Sequence, residues 1–195
     1  MDAPKVSVAY CRIMYEVERK FRVDHAAIRE ALTDTAAESL GTVRQRDTYY
    51  QHPIRDFAES DEAIRLREEA TDDEDAPVVR LTYKGPRLDA RQKVREEHET
   101  VVADGSTLDA ILRAIDFEPV ATVEKRRERY RIGESQICLD SVSDLGEFVE
   151  VEVVDEREDL SGAMAEADAL ERRLGLDAAP AESRTYLELL LTGEP

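Results

Sequence analysis

Tryptophan is absent from this chain of 195 residues, and cysteine, methionine and lysine are scarce. Cys11 and Cys138 show no paired spacing, which excludes a disulfide framework and a thiolate zinc site; they read as reduced thiols of a cytoplasmic protein. His25, His52 and His98 are scattered and read as surface or packing residues. No apolar run approaches the roughly 20 residues that cross a bilayer. The start lacks the basic region and apolar stretch of a secretory signal, and no glycine-rich phosphate loop is present. Only 5 Lys stand beside 22 Arg and 45 Asp plus Glu, for a net charge of −18. That balance excludes nucleic acid and anionic membranes as general partners. Abundant acids with few lysines match the proteome bias of a salt-in halophile, which concerns habitat and says nothing of activity. In a chain that avoids lysine, each remaining lysine needs a reason.

What is present is alternation. In "MYEVERKFRV" (14–23), Tyr15, Val17, Phe21 and Val23 point one way and Glu16, Glu18 and Lys20 the other. Alone, this is the solvent face of a half-buried strand. Residues 1–13 have no clear period and read as a loose extension ahead of a single domain over 14–192. Asp24 caps a helix expected to run to about Leu40, with Gly41 as its stop. Strands follow at Val43–Tyr50, 63–69 and 78–86, with "HPIRDF" as a loop and 71–77 as a hairpin connection. Further strands fall at 92–103, 120–132, 135–142 and 147–154. Ser106 or Thr107 caps a short helix over 108–115, Ser161 begins one to about Leu174, and 181–191 reads as a closing helix. Strands joined mostly by hairpins predict an α+β domain, mainly antiparallel, with the sheet closed or nearly closed into a barrel and helices outside.

The charged faces recur in strand after strand. Arg65 and Arg67 share a face, as do Arg80, Thr82 and Lys84; Arg95, Glu97 and Glu99; Lys125 and Arg127; and Glu150 and Glu152, with Asp140 opposite Leu139. A solvent reading would give an acidic protein a basic sheet exterior. The alternative is a barrel with a polar interior and apolar residues turned outward toward helices. Converging cations in a low-dielectric tunnel repel one another unless a polyanion fills it. Carboxylates beside them call for a divalent cation, and oxygen-only ligands favour Mg²⁺ or Mn²⁺. Both requirements together describe a site for a nucleoside triphosphate or another triphosphate. Lys20, Lys84 and Lys125 fall on these faces.

Glu16-x-Glu18-x-Lys20 on an N-terminal strand resembles the ExExK signature of the CYTH superfamily, the triphosphate tunnel metalloenzymes. The segments "AIRLR", "LTYKG", "VREEHE", "VEKRRERY", "CLD" and "LGEFVEVE" follow in the family's order. Residues 45–67, "LTYKGP" and "CLDSVSDLGEFVEVE" are similar to the class IV adenylate cyclase, CyaB-like, branch. The resemblance implies an eight-stranded antiparallel tunnel and conversion of ATP to cAMP and pyrophosphate with Mg²⁺ or Mn²⁺. It implies Glu16, Glu18, Glu150 and Glu152 as metal ligands, with Asp140 assisting. It implies Lys20, Arg65, Arg67, Lys84, Arg95, Lys125 and Arg127 as the triphosphate clamp, with Glu16, Glu18, Lys84 and Arg127 central to catalysis.

The same lining serves other chemistry, and three readings stay open. One is the cyclase; one is hydrolysis of inorganic triphosphate, thiamine triphosphate or a nucleotide; one is a non-catalytic polyphosphate- or nucleotide-binding module. A homodimer is compatible with each. The loop "YYQHPIRDF" (49–57) is richer in aromatic residues than a bare phosphate tunnel needs. It is therefore expected at one mouth, with Tyr49, Tyr50, His52 or Phe57 near a nucleobase or packed against a neighbouring helix.

Overall fold

A computed structural model describes residues 15–71, 76–86, 96–155 and 160–193. Its sheet is built from alternation, which aims successive side chains at opposite faces. Eight strands pair antiparallel in the order β1-β8-β7-β6-β2-β3-β4-β5. They are β1 (Tyr15–Phe21), β2 (Glu38–Gln51), β3 (Ala63–Thr71), β4 (Val78–Lys84), β5 (Glu97–Val102), β6 (Glu118–Ile132), β7 (Ser135–Val142) and β8 (Gly146–Asp155). Among the described residues β1 and β5 end the order and do not pair with each other, so hydrogen bonds do not close the barrel. The sheet is curled nonetheless, because side chains from all eight strands line one cavity.

The faces divide as the polar-interior reading expects along β1, β7 and β8. Val17, Phe21, Ile137, Leu139, Val149, Val151 and Val153 are buried outside the tunnel, beneath α1 (His25–Thr33) and α4 (Ser161–Arg173). Ala163 and Ala167 let α4 approach β8 closely. Over β2 and β6 the outward residues Arg44, Arg46, Glu124 and Arg126 are exposed, while inward Gln45, Asp47, Lys125 and Arg127 are buried. Only part of the barrel therefore needs an apolar exterior. A second outward cluster forms where α3 (Gly105–Ala114) brings Leu112 onto Tyr50 and Leu66.

Several boundaries differ from the sequence reading. The first helix is capped by Asp24 as expected, whose carboxylate accepts from the Ala26 amide at 2.6 Å. It ends at Thr33 rather than near Leu40, because β2 already begins at Glu38. Gly41 is no helix stop. At φ 86° it sits where β2 shifts register against β6, a conformation that glycine adopts without steric cost. The cap of α3 is Asp104, accepting from the Thr107 amide at 3.0 Å, so Ser106 and Thr107 lie inside the first turn. The loop after β2 holds a short turn of helix, α2 (Phe57–Ser60), capped by Asp56. The last helix, α5 (Tyr186–Thr192), starts five residues later than the segment 181–191. Before it, Ala181 bridges to Phe21 and the Glu182 amide donates to the Lys20 carbonyl, which stitches the chain to β1.

Candidate active site

The cavity holds about 390 Å³, within the usual range for a small-molecule site. Along β3 and β2 the register sets Arg65 beside Tyr49, Arg67 beside Asp47 and Glu69 beside Gln45. These rungs order the lining from one end to the other. β6 adds Lys125, Arg127 and Arg129, β4 adds Lys84, β5 adds Glu97, β1 adds Glu18 and Lys20, and β8 adds Glu150 and Glu152.

Arg127 is the hub of one wall. Its Nε and Nη2 donate to the two oxygens of Asp140 at 2.7 and 2.6 Å, Nη2 also to Glu150, and Nη1 to Glu152 at 3.2 Å. Asp140 is 0% exposed and also accepts from Lys125 Nζ and the Tyr186 hydroxyl, each at 3.0 Å. Burial alone would raise its pKa, but the charges of Arg127 and Lys125 hold it below the ordinary carboxylate value. Glu152 goes the other way. Burial pushes its pKa up, and the neighbouring Glu150, Glu18 and Asp140 charges add to that against Arg127. Gln136 donates to its second oxygen at 2.9 Å.

The facing wall carries its own internal anions. Asp47, 1% exposed, receives Arg67 Nε and Nη2 at 2.7 Å each, and Arg65 Nη1 lies 3.8 Å away. Burial opposes its ionisation, yet the Arg67 hydrogen bonds and the Arg65, Arg67 and Lys125 charges hold its pKa well below the usual range. Glu69 accepts from Gln45 at 2.6 Å and pairs with Arg80 at 3.4 Å and Arg129 at 3.7 Å. Lys84 pairs with Glu97. Buried Nε atoms of Arg65 and Arg129 have no hydrogen-bond partner. An unmet buried donor costs free energy, and a phosphate oxygen would meet it.

Against Tyr49 an apolar cluster packs. Val123, Val142, Leu145 and Phe148 receive Tyr186 and Leu189 of α5, which enters this end of the tunnel. The adjoining cavity wall includes Phe57, Ala58, Val120, Leu187 and Leu191, of which Leu191 is 58% exposed.

The structure brings Glu18, Lys20, Arg65, Arg67, Lys84, Lys125, Arg127, Glu150 and Glu152 to this cavity. Asp140 does not line it; the carboxylate lies behind Lys125 and Arg127 as their counter-ion, since cations and a hydroxyl engage both its oxygens. The side chain of Glu16 and the whole of Arg95 lie outside the described residues. Of the aromatic loop, Tyr49, Tyr50 and Phe57 line the cavity and His52 does not. Tyr50 also packs on Leu66 and Leu112 with its hydroxyl on Asp109 at 2.6 Å, and His52 lies against Phe57 and Phe117. Sequence reading missed Asp47, Glu69, Arg129 and Tyr186. The alternation Gln45-x-Asp47-x-Tyr49 could have found the first; Tyr186, on a seven-residue helix, carries no periodic signal.

A curled antiparallel sheet of eight strands, with interleaved carboxylates and cations along its bore, defines a charged-tunnel domain. The chain belongs to the CYTH domain family, whose profile matches residues 14–186. A Methanocaldococcus jannaschii protein provisionally named an adenylate cyclase is 35% identical over 140 residues, covering 71% of this chain and 77% of its own. Adenylate cyclase CyaB of Aeromonas hydrophila is 26% identical over 178 residues, 90% of this chain and 88% of its own. The structure of the PH1819 protein from Pyrococcus horikoshii superposes with a TM-score of 0.81 at 36% identity, covering 91% and 99% of the two chains. A Hippeastrum protein, described as having a dominant triphosphatase activity, shares the fold alone, with a TM-score of 0.67 and 16% identity over 94% and 97% of the chains.

Proposed function

We propose that the tunnel binds the triphosphate of ATP with a divalent cation, and that the chain is a class IV adenylate cyclase-like enzyme forming cAMP and pyrophosphate. The observation that carries this reading is the composition of the mouth. Phe57, Val120, Leu187 and Leu191 line the same cavity as the clamp cations. A bare phosphate chain has nothing to place on an apolar shelf, whereas a nucleoside does.

Arg65, Arg67, Lys84, Lys125 and Arg127 would hold the phosphates, with Arg95 and Lys20 completing the clamp. Glu18, Glu150 and Glu152, with Glu16 ahead of them on β1, are the oxygen donors for a cation. The donor set fits a hard divalent ion: the raised pKa of Glu152 records, besides burial, the repulsion among carboxylates that such an ion relieves. Among the described residues no three such donors meet at one point. Closing on a cation would therefore turn Glu150 and Glu152 off Arg127. When bound, the cation would lower the pKa of the attacking hydroxyl and balance charge on the departing phosphate. The residues would do the rest by position. The ribose 3′-oxygen would bond the α-phosphorus as its bridge to the β-phosphate breaks, with Arg67, Lys125 and Arg127 compensating charge as it grows. Nucleophile and phosphorus already belong to one molecule, so the residues contribute by freezing its rotors with the 3′-oxygen in line with the breaking bond.

Hydrolysis of a triphosphate is the second reading, favoured by one observation. His52 is turned into packing against Phe57 and Phe117 and does not line the cavity, which leaves one loop aromatic fewer for a base. Purified protein incubated with ATP and Mg²⁺ or Mn²⁺ in high salt decides between them. Release of cAMP and pyrophosphate supports the cyclase; ADP and phosphate alone would transfer the proposal to hydrolysis.

A further inference from the structure

One aromatic side chain in the tunnel belongs to none of the roles assigned so far. Tyr186 enters from α5, buried, with its ring edge-on to Phe148 at 5.1 Å between centroids. Two clamp lysines meet that ring: Lys20 Nζ lies 3.9 Å and Lys125 Nζ 4.8 Å from its centroid. Its hydroxyl donates to Asp140 Oδ2 at 3.0 Å, an oxygen that Lys125 and Arg127 also bind. Lys20 further donates to the Arg184 carbonyl at 3.1 Å, two residues before the tyrosine.

We propose that Tyr186 is a positioning residue of the clamp, fixing Lys20 and Lys125 by its ring and Asp140 by its hydroxyl; this rests on the tunnel being a triphosphate site. The physical reason lies in how an ammonium can be held. A carboxylate fixes it but cancels its charge, so an arriving phosphate must compete with that carboxylate. An aromatic face attracts the same ammonium through its quadrupole without cancelling its charge, and so keeps Lys20 and Lys125 in place when a phosphate displaces their carboxylate partners Glu150, at 3.5 Å, and Asp140. The hydroxyl acts in the same direction, because sharing Asp140 Oδ2 with a third donor weakens the hold of that oxygen on Lys125. Burial and the Glu150 and Asp140 charges keep the phenol protonated and hence a donor. The C-terminal helix is on this view part of the binding site.

The alternative is a tyrosine that only packs against Phe148 and Leu189. Titration calorimetry of sodium tripolyphosphate, with chelator and without metal, well below the melting temperature, separates the two. Tyr186→Leu, which removes ring and hydroxyl, should weaken binding about tenfold or more. Tyr186→Phe, which keeps the ring, should recover most of that affinity. The chain has 7 Tyr and no Trp, so ultraviolet difference spectra report tyrosine environments directly. Saturating tripolyphosphate should produce a difference band in the wild type that Tyr186→Phe loses, as phosphate charge arrives beside the lysines held on the ring; this readout survives if the leucine variant fails to fold. Unchanged affinity in a folded Tyr186→Leu, or a full band in Tyr186→Phe, would overturn the proposal alone. Wild-type protein that does not bind tripolyphosphate would overturn the tunnel reading and this proposal with it, whereas Lys84→Ala losing affinity in parallel would uphold the tunnel reading.

Discussion

Replacing Asp47 by asparagine should make the protein less stable and its affinity for a triphosphate greater. In the folded chain this buried carboxylate holds Arg67 in a two-bond fork at 2.7 Å and lies 3.8 Å from Arg65. Removing one partner of a buried ion pair typically costs about 3–5 kcal/mol, because the other charge is left uncompensated. Asparagine keeps the shape and one oxygen that a guanidinium can still reach, a hydrogen bond worth about 1.5 kcal/mol or more. The expected net loss is about 1.5–3.5 kcal/mol. For a domain of this size, that lowers the melting temperature by roughly 3–14 °C. The sign with pH follows from the depressed pKa of Asp47. As pH falls, the unfolded chain takes up this proton before the folded one does. The contribution of Asp47 is thus full above its unfolded pKa of about 3.9 and fades as pH drops further. The gap between wild type and variant should therefore narrow in acid. Binding moves the other way: Arg65 and Arg67 lose an internal competitor, so tripolyphosphate should bind more tightly. Thermal melts with and without tripolyphosphate, over a pH series, measure both effects. A variant of wild-type stability, or one that binds tripolyphosphate more weakly while folded, would refute the internal-anion account.

Glu152→Gln should abolish metal-dependent turnover while metal-free tripolyphosphate binding changes little; Lys84→Ala should weaken that metal-free binding by about 1.5–3 kcal/mol. Calorimetry beside a turnover assay would expose the error if both variants behaved alike. Phe57→Ala should erase any preference for ATP over tripolyphosphate without harming tripolyphosphate binding, and a competition titration that still favours ATP would count against the apolar shelf. Deletion of residues 1–13 should leave melting temperature and activity nearly unchanged, whereas a loss above about 2 kcal/mol would mean that packed side chains had been removed. Finally, Mg²⁺ and tripolyphosphate should each strengthen the binding of the other by the same factor. Affinities measured singly and together would show no coupling if the carboxylates and cations act independently.

The tunnel was legible in the sequence because a period of two needs no knowledge of distant contacts. Glu18 and Lys20 face the bore while Val17 and Phe21 face α4 and α1, and the two sets can be told apart from the alternating letters. Register was less legible. Nothing local says that Gly41 lies in a bulge of β2, since the same glycine after a helical stretch reads as a stop. Nor does spacing say that Asp140 serves Arg127 and Lys125 rather than lining the cavity, because that depends on which residue β6 sets across from it. Tyr186 was invisible for a similar reason. A helix of 7 residues offers no period, and its role exists only where α5 meets β1 and β6.

The sequence argument held that converging cations must repel unless a polyanion fills the bore. The structure shows how the chain meets that difficulty itself. Asp47 takes Arg67, Glu69 takes Arg80 and Arg129, Asp140 and Glu150 take Arg127, and Glu97 takes Lys84. The bore is neutralised by its own carboxylates. On the proposed function, binding a triphosphate would be an exchange in which phosphate oxygens replace carboxylates on the guanidinium and ammonium groups. The affinity is the difference between two sets of charge-assisted contacts, smaller than either set alone. Carboxylates displaced in that exchange would be left buried with surplus negative charge, on top of the burial and the neighbouring Glu150, Glu18 and Asp140 charges that already push the pKa of Glu152 up. A divalent cation relieves it and a monovalent one does so poorly, because the Coulomb term scales with charge. Metal and triphosphate thus each create the condition that favours the other. Interleaving acids with bases makes that coupling a property of the lining, and gives a reason for three of the five lysines of a strongly acidic chain to stand here.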